Sequence, residues 1–383
     1  MQIAIVGAGI AGLATAVACA RRGMQVTVFE RAPELGEVGA GIQIGANGMA
    51  VLTAFGLADA VRRVGVSPSA VQMRSADATP LMRIAMGADA ARRWGHVPVN
   101  LHRADLIALL ADAARAAKVQ LVTGVDVGGA QATDGVLHVG GRTERFDLIV
   151  GADGVRSGLR AQIAGVSEPR YTGHAAWRAL IPHEGTGTVT NLTVGRDRHL
   201  VTYPIRGGRM LNVVAVVKRR EWTGEGWAQE DDPDNLRAAF ANWNDMADAV
   251  LAQVRETYLW GLFDHAPLQS WSRGKLVLVG DACHPMLPFL AQGATQGLED
   301  AWVLAETLAA GAPVSAYEAE RKPRATRVQR AARAQGRLDH VGFPWRPFVH
   351  LGMRGVGAVA PDFAARRFDW LYAHDVTRTA IPN

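Results

Sequence analysis

Two polar side chains in the middle of the chain are spaced to act together. His199 and Tyr203 lie four residues apart in the run HLVTYPI. That run reads as a β-strand, and strand side chains alternate between faces, so both point the same way. A histidine titrates near neutral pH and can act as a general base. A second group lies in LVLVGDACHPMLPFLAQGAT, residues 276–295. There an apolar strand, Leu276 to Gly280, ends on Asp281. Pro285, Pro288 and a Gly-rich turn then lead into a helix that begins at Gly293 to Thr295. His284 follows closely, but no Cys/His/Asp cluster at ligand spacing accompanies it, so no metal site is expected.

The elements that could position such groups start at the N-terminus. In QIAIVGAGIAGLATAVACARRGMQVTVFE, a β-rich run from Ile3 to Val6 is followed by Gly7-x-Gly9-x-x-Gly12, an Ala-rich helix, the stop Gly23, and a second strand from Gln25 ending at Glu30. This is the dinucleotide-binding βαβ unit. Gly7 permits the tight turn, Gly9 lets a pyrophosphate reach the backbone, and Gly12 lets helix and strand pack closely. Free amides at the helix start face the phosphates, and Glu30, 18 residues after Gly12, is placed to accept from a ribose hydroxyl. NAD and FAD both fit an acid at that position. Further along, FDLIVGADGVRSGLR pairs a strand at Leu148 to Val150 with the turn around Asp153, and LHRADL sets Arg103 at the head of a helix running to about Ala117.

The G-x-G-x-x-G with Glu30, the GADG with Arg156, and GDACHPMLPFLAQG occur in the order seen in single-component flavin aromatic hydroxylases, and the sequence resembles that family along nearly its whole length. The segments GAGIQIGANGMAVL (39–52), YTGHAAWRAL (171–180) and FDWLYAHDVT (368–377) also resemble its salicylate hydroxylase, 3-hydroxybenzoate 6-hydroxylase and 6-hydroxynicotinate 3-monooxygenase group. The resemblance implies an α/β fold: a Rossmann-like FAD-binding domain, an antiparallel β-sheet substrate domain and a C-terminal helical segment. It implies FAD as cofactor, held by Gly7, Gly9, Ala11, Gly12, Glu30, Arg31, Arg103, Asp153, Asp281, Gly293, Ala294 and Thr295. Asp281 would bind the ribityl chain, Arg103 the phosphate region, and the amides of residues 293–295 the pyrimidine end of the ring. NADH or NADPH would visit transiently, since no second Gly-rich domain exists for it.

By the same resemblance, Pro288 borders the reacting face of the flavin, and His199 and Tyr203 contact the phenol. Removing the phenolic proton pushes electron density into the ring that must attack oxygen activated at flavin C4a. Gln43 and Phe289 complete the expected substrate set. Gln43 stands where the 6-hydroxynicotinate enzymes carry histidine, which favours a benzene ring over a pyridine. The expected activity is hydroxylation of a small phenolic aromatic, a hydroxybenzoate such as salicylate or 3-hydroxybenzoate, with O2 as co-substrate. A hydroxylated N-heterocycle, or a flavin reductase or non-catalytic flavin binder, is the alternative. Arg178 and Arg206 are candidate carboxylate partners.

Composition agrees with a soluble packed enzyme. The chain has 383 residues, enough for roughly two domains. Apolar residues make up 49% and the net charge is +5. The expected FAD-binding domain comprises residues 1–70, 96–165 and 266–318, the substrate domain 71–95 and 166–265, and the helical segment 319–383. Asp232 to Val254 reads as one helix, and Ser315 onward as a helix interrupted at Pro323 with a solvated arginine face. That face lacks interleaved aromatics, so no nucleic-acid partner is expected. Two cysteines, Cys19 and Cys283, cannot make a disulfide framework, which points to a reducing cytoplasm. The apolar N-terminus lacks a basic leader and is broken by glycines, so no membrane segment is expected. The resemblance allows a homodimer.

Overall fold

The computed structural model describes residues 1–36, 40–165, 168–222, 228–342, 344–359 and 361–378. Gly39, which opens the 39–52 motif, and residues 166 and 167 at the expected domain junction lie outside the described residues.

Continuous apolar runs make the first sheet. Its six strands run in the order Ser272–Arg273, Leu276–Leu278, Leu148–Gly151, Gln2–Val6, Gln25–Glu30, Gln120–Thr123, all parallel except the hairpin at the first edge. Ile3, Ala4 and Ile5 are fully buried, as strands covered on both faces require. The Gly-motif helix (Ile10–Ala20) and the Gly293 helix (Gly293–Ala309) pack on this sheet and on each other.

Alternating runs make the second, eight-stranded sheet. Its order is Ala228–Asp231, Thr257–Asp264, Arg170–Pro182, Met210–Lys218, Arg198–Ile205, Val189–Gly195, Ala70–Ser75, Pro80–Ala85. Every pair is antiparallel except Val189–Gly195 with Ala70–Ser75. One face buries Trp177, Leu200, Phe240 and Trp243 in a separate core. A two-stranded ladder, Gly41–Ile44 with Val99–His102, sets Gln43 opposite Asn100.

Four sequence expectations change. The strand from Leu276 stops at Leu278, and Gly280 turns at φ +60° into a single 3-10 turn, Gly280–Ala282. Asp232 to Val254 is two short helices, Pro233–Ala239 and Asp245–Leu251. Asn242 between them takes φ +63°, and the Asn244 side chain caps the second by accepting from the Ala247 amide. The long helix, Val314–Asp339, is continuous through Pro323. An internal proline costs about 3 kcal/mol, so tertiary ties must hold the two halves together. Those ties come from the arginine face, which is not uniformly solvated. Arg321 is 1% exposed, Arg324 and Arg333 are half-buried, and only Arg327, Arg330 and Arg337 remain exposed. Of the C-terminal aromatics, Phe368, Trp370 and Tyr372 pack inward, whereas Trp345, Phe348 and Phe363 stay exposed.

Arg321 sits between Glu299 and Asp300, both fully buried on the Gly293 helix. Its Nη1 donates to Glu299 Oε2 at 2.5 Å and its Nε to Asp300 Oδ1 at 2.8 Å. Arg324 adds two bonds to Glu299, and His284 Nε2 meets Asp300 Oδ2 at 2.5 Å. Asp300 Oδ2 also accepts from the Gly280 amide, which fixes the turn that carries Asp281. Burial raises both carboxyls. Arg321, with Arg324 on Glu299 and His284 on Asp300, more than offsets this and brings both down to about 2. Carboxylates held below their unfolded values contribute stability above about pH 4 that is lost as pH falls toward 2. Removing the central cation strands two buried charges, and such a loss costs about 3–5 kcal/mol. Arg321→Met should therefore lower the unfolding free energy in denaturant at pH 7 by about that amount. A change of less than about 1 kcal/mol would show that the network is not a main tie.

Candidate functional site

The two Gly-rich motifs meet. A Cβ on Gly280 would lie 2.7 Å from the Ala11 Cβ, and one on Gly297 2.9 Å from it, so the start of the Gly-motif helix is seated directly against the Asp281 turn and the Gly293 helix. Gly7, at φ +106°, is pressed on the Ala152 carbonyl, and a Cβ on Gly12 would collide with the Gly7 carbonyl oxygen. Gly9 has open space where its Cβ would be. Neither the Gly-motif helix nor the Gly293 helix has a side-chain cap, so the first amides of both lack a capping bond from a side chain of their own N-cap residue.

Around this junction lie the other expected cofactor residues. Glu30 accepts from the amides of Ala8 at 2.7 Å and Ala32 at 2.9 Å, which fixes its carboxylate against the glycine turn. Arg31 is exposed beside it, and Arg103 is the first residue of the helix Arg103–Ala116. Asp153 accepts from the Leu159 amide at 3.2 Å and holds the start of the helix Gly158–Ala164. Asp281 is exposed, with a carboxylate oxygen 3.8 Å from where a Gly293 Cβ would be. Buried Arg160 clamps the Asp281 turn from behind by donating to the Asp281 and Ala282 carbonyls at 2.5 and 2.7 Å. Ala294 is half-buried. Thr295 is fully buried, backbone included, and its side chain packs on Gly48.

A cavity of about 190 Å³ opens beside Pro288. Gln43, His199, Pro288 and Phe289 line it together, so four of the five residues expected around the substrate share one wall system. Tyr203 is not among the lining residues. Its ring packs against Gly41, whose amide donates to Asn212 Oδ1 at 2.7 Å. Burial pushes the Tyr203 hydroxyl well above its usual range, so it stays protonated. Arg178 and Arg206 are also elsewhere: Arg178 lies over the Trp260 ring and Arg206 pairs with Asp105.

Most of the cavity wall is apolar, including Met73, Met82, Ile84 and Trp94. Its polar groups are ordered. Gln43 Nε2 donates to Asn100 Oδ1 at 3.1 Å, and Asn100 Nδ2 to Thr190 Oγ1 at 3.0 Å. Gln292 Oε1 accepts from Asn47, which also donates to Glu299 and so joins the cavity to the Arg321 network. Gln292 Nε2 and Asn47 Oδ1 are buried with no protein partner, leaving one donor and one acceptor for a ligand at the start of the Gly293 helix. Ala291, beside them, takes φ +50°, a left-handed conformation that costs an L-residue about 1–2 kcal/mol.

His199 does not act alone. Its Nδ1 lies 2.7 Å from His340 Nε2, and His340 stacks on His174 with ring centroids 5.0 Å apart. Phe289 closes the group, 5.6 Å from His199, and its ring fills the space that the absent Gly336 side chain leaves. Burial, then the neighbouring histidines, holds His199 well below its ordinary value, and burial first brings His340 down to about 4. All three imidazoles are lowered by burial, and His199 and His340 are neutral near pH 7. No local pattern pointed to His340, which lies 141 residues from His199 in the chain. Among the described residues no cluster of His, Cys, Asp and Glu could hold a metal.

Comparison with known proteins places the chain in a family. The family described as FAD binding domain matches residues 1–332. A 3-amino-4-hydroxybenzoate 2-monooxygenase of Streptomyces platensis is 35% identical over 98% of this chain and 96% of its own. A 6-hydroxynicotinate 3-monooxygenase of Bordetella bronchiseptica is 36% identical over 86% of this chain and 90% of its own. The solved structure of a salicylate hydroxylase substrate complex superposes with a TM-score of 0.83 at 25% identity, covering 100% of this chain and 98% of that one. The chain belongs to the FAD-binding-domain family. Its residues fit that cofactor: the backbone at Gly9 is bare, the two helix starts are uncapped, and Gln292 Nε2 and Asn47 Oδ1 have no protein partner. Gly12→Ala should lose FAD on purification while secondary structure by circular dichroism is kept, because the new methyl must displace the Gly7 turn. Full flavin content in that variant would contradict the packing described.

Proposed function

We propose that this FAD-dependent aromatic monooxygenase, which draws electrons from NADH or NADPH, hydroxylates a small single-ring phenol of the hydroxybenzoate class. The observation that carries the proposal is the cavity beside Pro288, in which a neutral, buried histidine stands among apolar walls. A cavity of about 150 Å³ suffices for benzene, so 190 Å³ suits one substituted ring.

Bound flavin, once reduced by the nicotinamide donor, activates O2 for transfer of one oxygen atom to the ring, the other leaving as water. The chain supplies the rest. Ala8, Glu30 and the Gly7–Gly12 turn hold the adenosine end, and Asp281 accepts from the ribityl hydroxyls. The Gly293 helix start, with its positive end and no side-chain cap, would hold the pyrimidine end of the ring and would stabilise negative charge there. Pro288 and Phe289 form the rigid cover of the reacting face and exclude water.

His199 takes the phenolic proton at Nε2, the nitrogen not engaged by His340. With the shared proton on His199 Nδ1, a proton gained at Nε2 lets the Nδ1 proton pass to His340, so the positive charge moves from His199 to the neighbouring imidazole. Tyr203 acts at one remove: with Asn212 it fixes Gly41, and so the strand that presents Gln43. The absence of histidine at residue 43 favours a benzene ring over a hydroxylated pyridine.

Screening monohydroxylated benzoates for stimulated NAD(P)H oxidation, with the hydroxylated product identified by mass, tests the proposal. Peroxide as the sole product across the series would contradict it. His199→Ala should keep its flavin and substrate-independent flavin reduction, yet lose product formation by about 10²-fold or more, with oxidation uncoupled to peroxide. Equal coupling in the variant would remove the proton-acceptor role.

A further inference from the structure

One carboxyl lines the cavity that the hydroxylation proposal does not use. Asp339 closes the last turn of the long helix, beyond the family match that ends at residue 332, and is 4% exposed. Gln335, one turn earlier and also in the cavity wall, donates from Nε2 to Asp339 Oδ1 at 2.8 Å. Among the described residues the wall carries no lysine or arginine, so nothing in it neutralises this group by direct pairing. A carboxylate there also sits at the negative end of a 26-residue helix, where a negative charge is disfavoured. Burial accordingly pushes Asp339 up to about 7. A buried acid at a helix C-terminus is costly without hydrogen-bond partners, and the protein supplies one through Gln335. A carboxyl oxygen can accept several hydrogen bonds, and the Gln335 bond uses one.

We propose that Asp339, oriented by Gln335, is a specificity-determining residue that accepts a hydrogen bond from an amino or second hydroxyl group on the aromatic ring. The assignment rests on the cavity beside Pro288 being the substrate site. His199 reads the phenol, and Asp339, on a different element, reads a donor elsewhere on the same ring. A ring with a methyl group in place of that donor has the same size but leaves the buried carboxyl without its partner. Sites built to satisfy a polar substituent reject analogues that lack it far more strongly than apolar pockets reject an extra methyl.

The test uses FAD-loaded enzyme and matched pairs of hydroxybenzoates carrying either an amino or a methyl group, with the substituent moved around the ring. Binding is read from the perturbation of flavin absorbance, and turnover from NAD(P)H oxidation. The tightest amino compound should bind about tenfold or more better than its methyl partner. Asp339→Leu should abolish or invert that preference with flavin content unchanged, and Asp339→Asn, which keeps an acceptor oxygen, should retain part of it. Pairs bound within about twofold by the unaltered enzyme, or a Leu variant that weakens both members equally, would overturn the assignment of Asp339 alone. If no hydroxybenzoate of either kind perturbs the flavin, the substrate proposal falls and this one with it.

Discussion

The contact on which the rest depends is the approach of two helices at Ala11. The Gly-motif helix and the Gly293 helix come from opposite ends of the chain, and they touch only because Gly280 and Gly297 present no side chain there. That approach seats the uncapped start of the Gly-motif helix against the Asp281 turn and the first turns of the Gly293 helix, which is also uncapped. A dinucleotide cofactor with a long ribityl link needs such an arrangement: phosphates at one helix start, the ring at the other, and an acid between them. By the proposed reading Asp281 is that acid, carried out of the strand where Gly280 turns at positive φ.

Holding two bare backbone segments together takes rigid support, and the chain provides it with buried charge. Glu299, Asp300 and Arg321 are almost completely removed from water, and their bonds reach Gly280 on one side and Asn47 and Gln292 on the other. A well-packed apolar core of the same volume is often as stable or more so. What the charged set adds is direction: each carboxylate oxygen has named donors, so the Asp281 turn, the helix start and the cavity wall cannot shift independently. The same helix that carries Arg321 ends at Asp339 and His340, so support for the cofactor and lining for the cavity share one element.

Much of this was legible in the sequence, and the boundary has a physical reason. The βαβ unit, Glu30, Asp281 and the helix start at Gly293 are local patterns, fixed by backbone conformation within a few residues. Gln43, Pro288, Phe289 and His199 could be named through resemblance, and they do share a cavity. Tyr203 shows the limit of periodicity: residues four apart on a strand share a face, but their Cα atoms are about 13 Å apart, so a shared face is not a shared pocket. Arg321 misled for a similar reason. Arginines at helical spacing usually mark water, and only the partners on another helix, Glu299 and Asp300, reveal burial. The His199–His340 pair and Asp339 depend on long-range packing of the helix end, which no local pattern encodes.

The most direct test of the helix approach is to remove its space from the Gly293 helix, at a residue not expected to touch the cofactor, and to restore it from the other side. Gly297→Ala places a methyl 2.9 Å from the Ala11 Cβ. FAD affinity of the apo-protein, measured by titration of flavin fluorescence, should fall clearly in this variant and recover in the Ala11→Gly/Gly297→Ala pair, where the space is restored from the other side. Unchanged affinity in the single variant, or no recovery in the double one, would contradict the claim that contact at Ala11 sets the cofactor site.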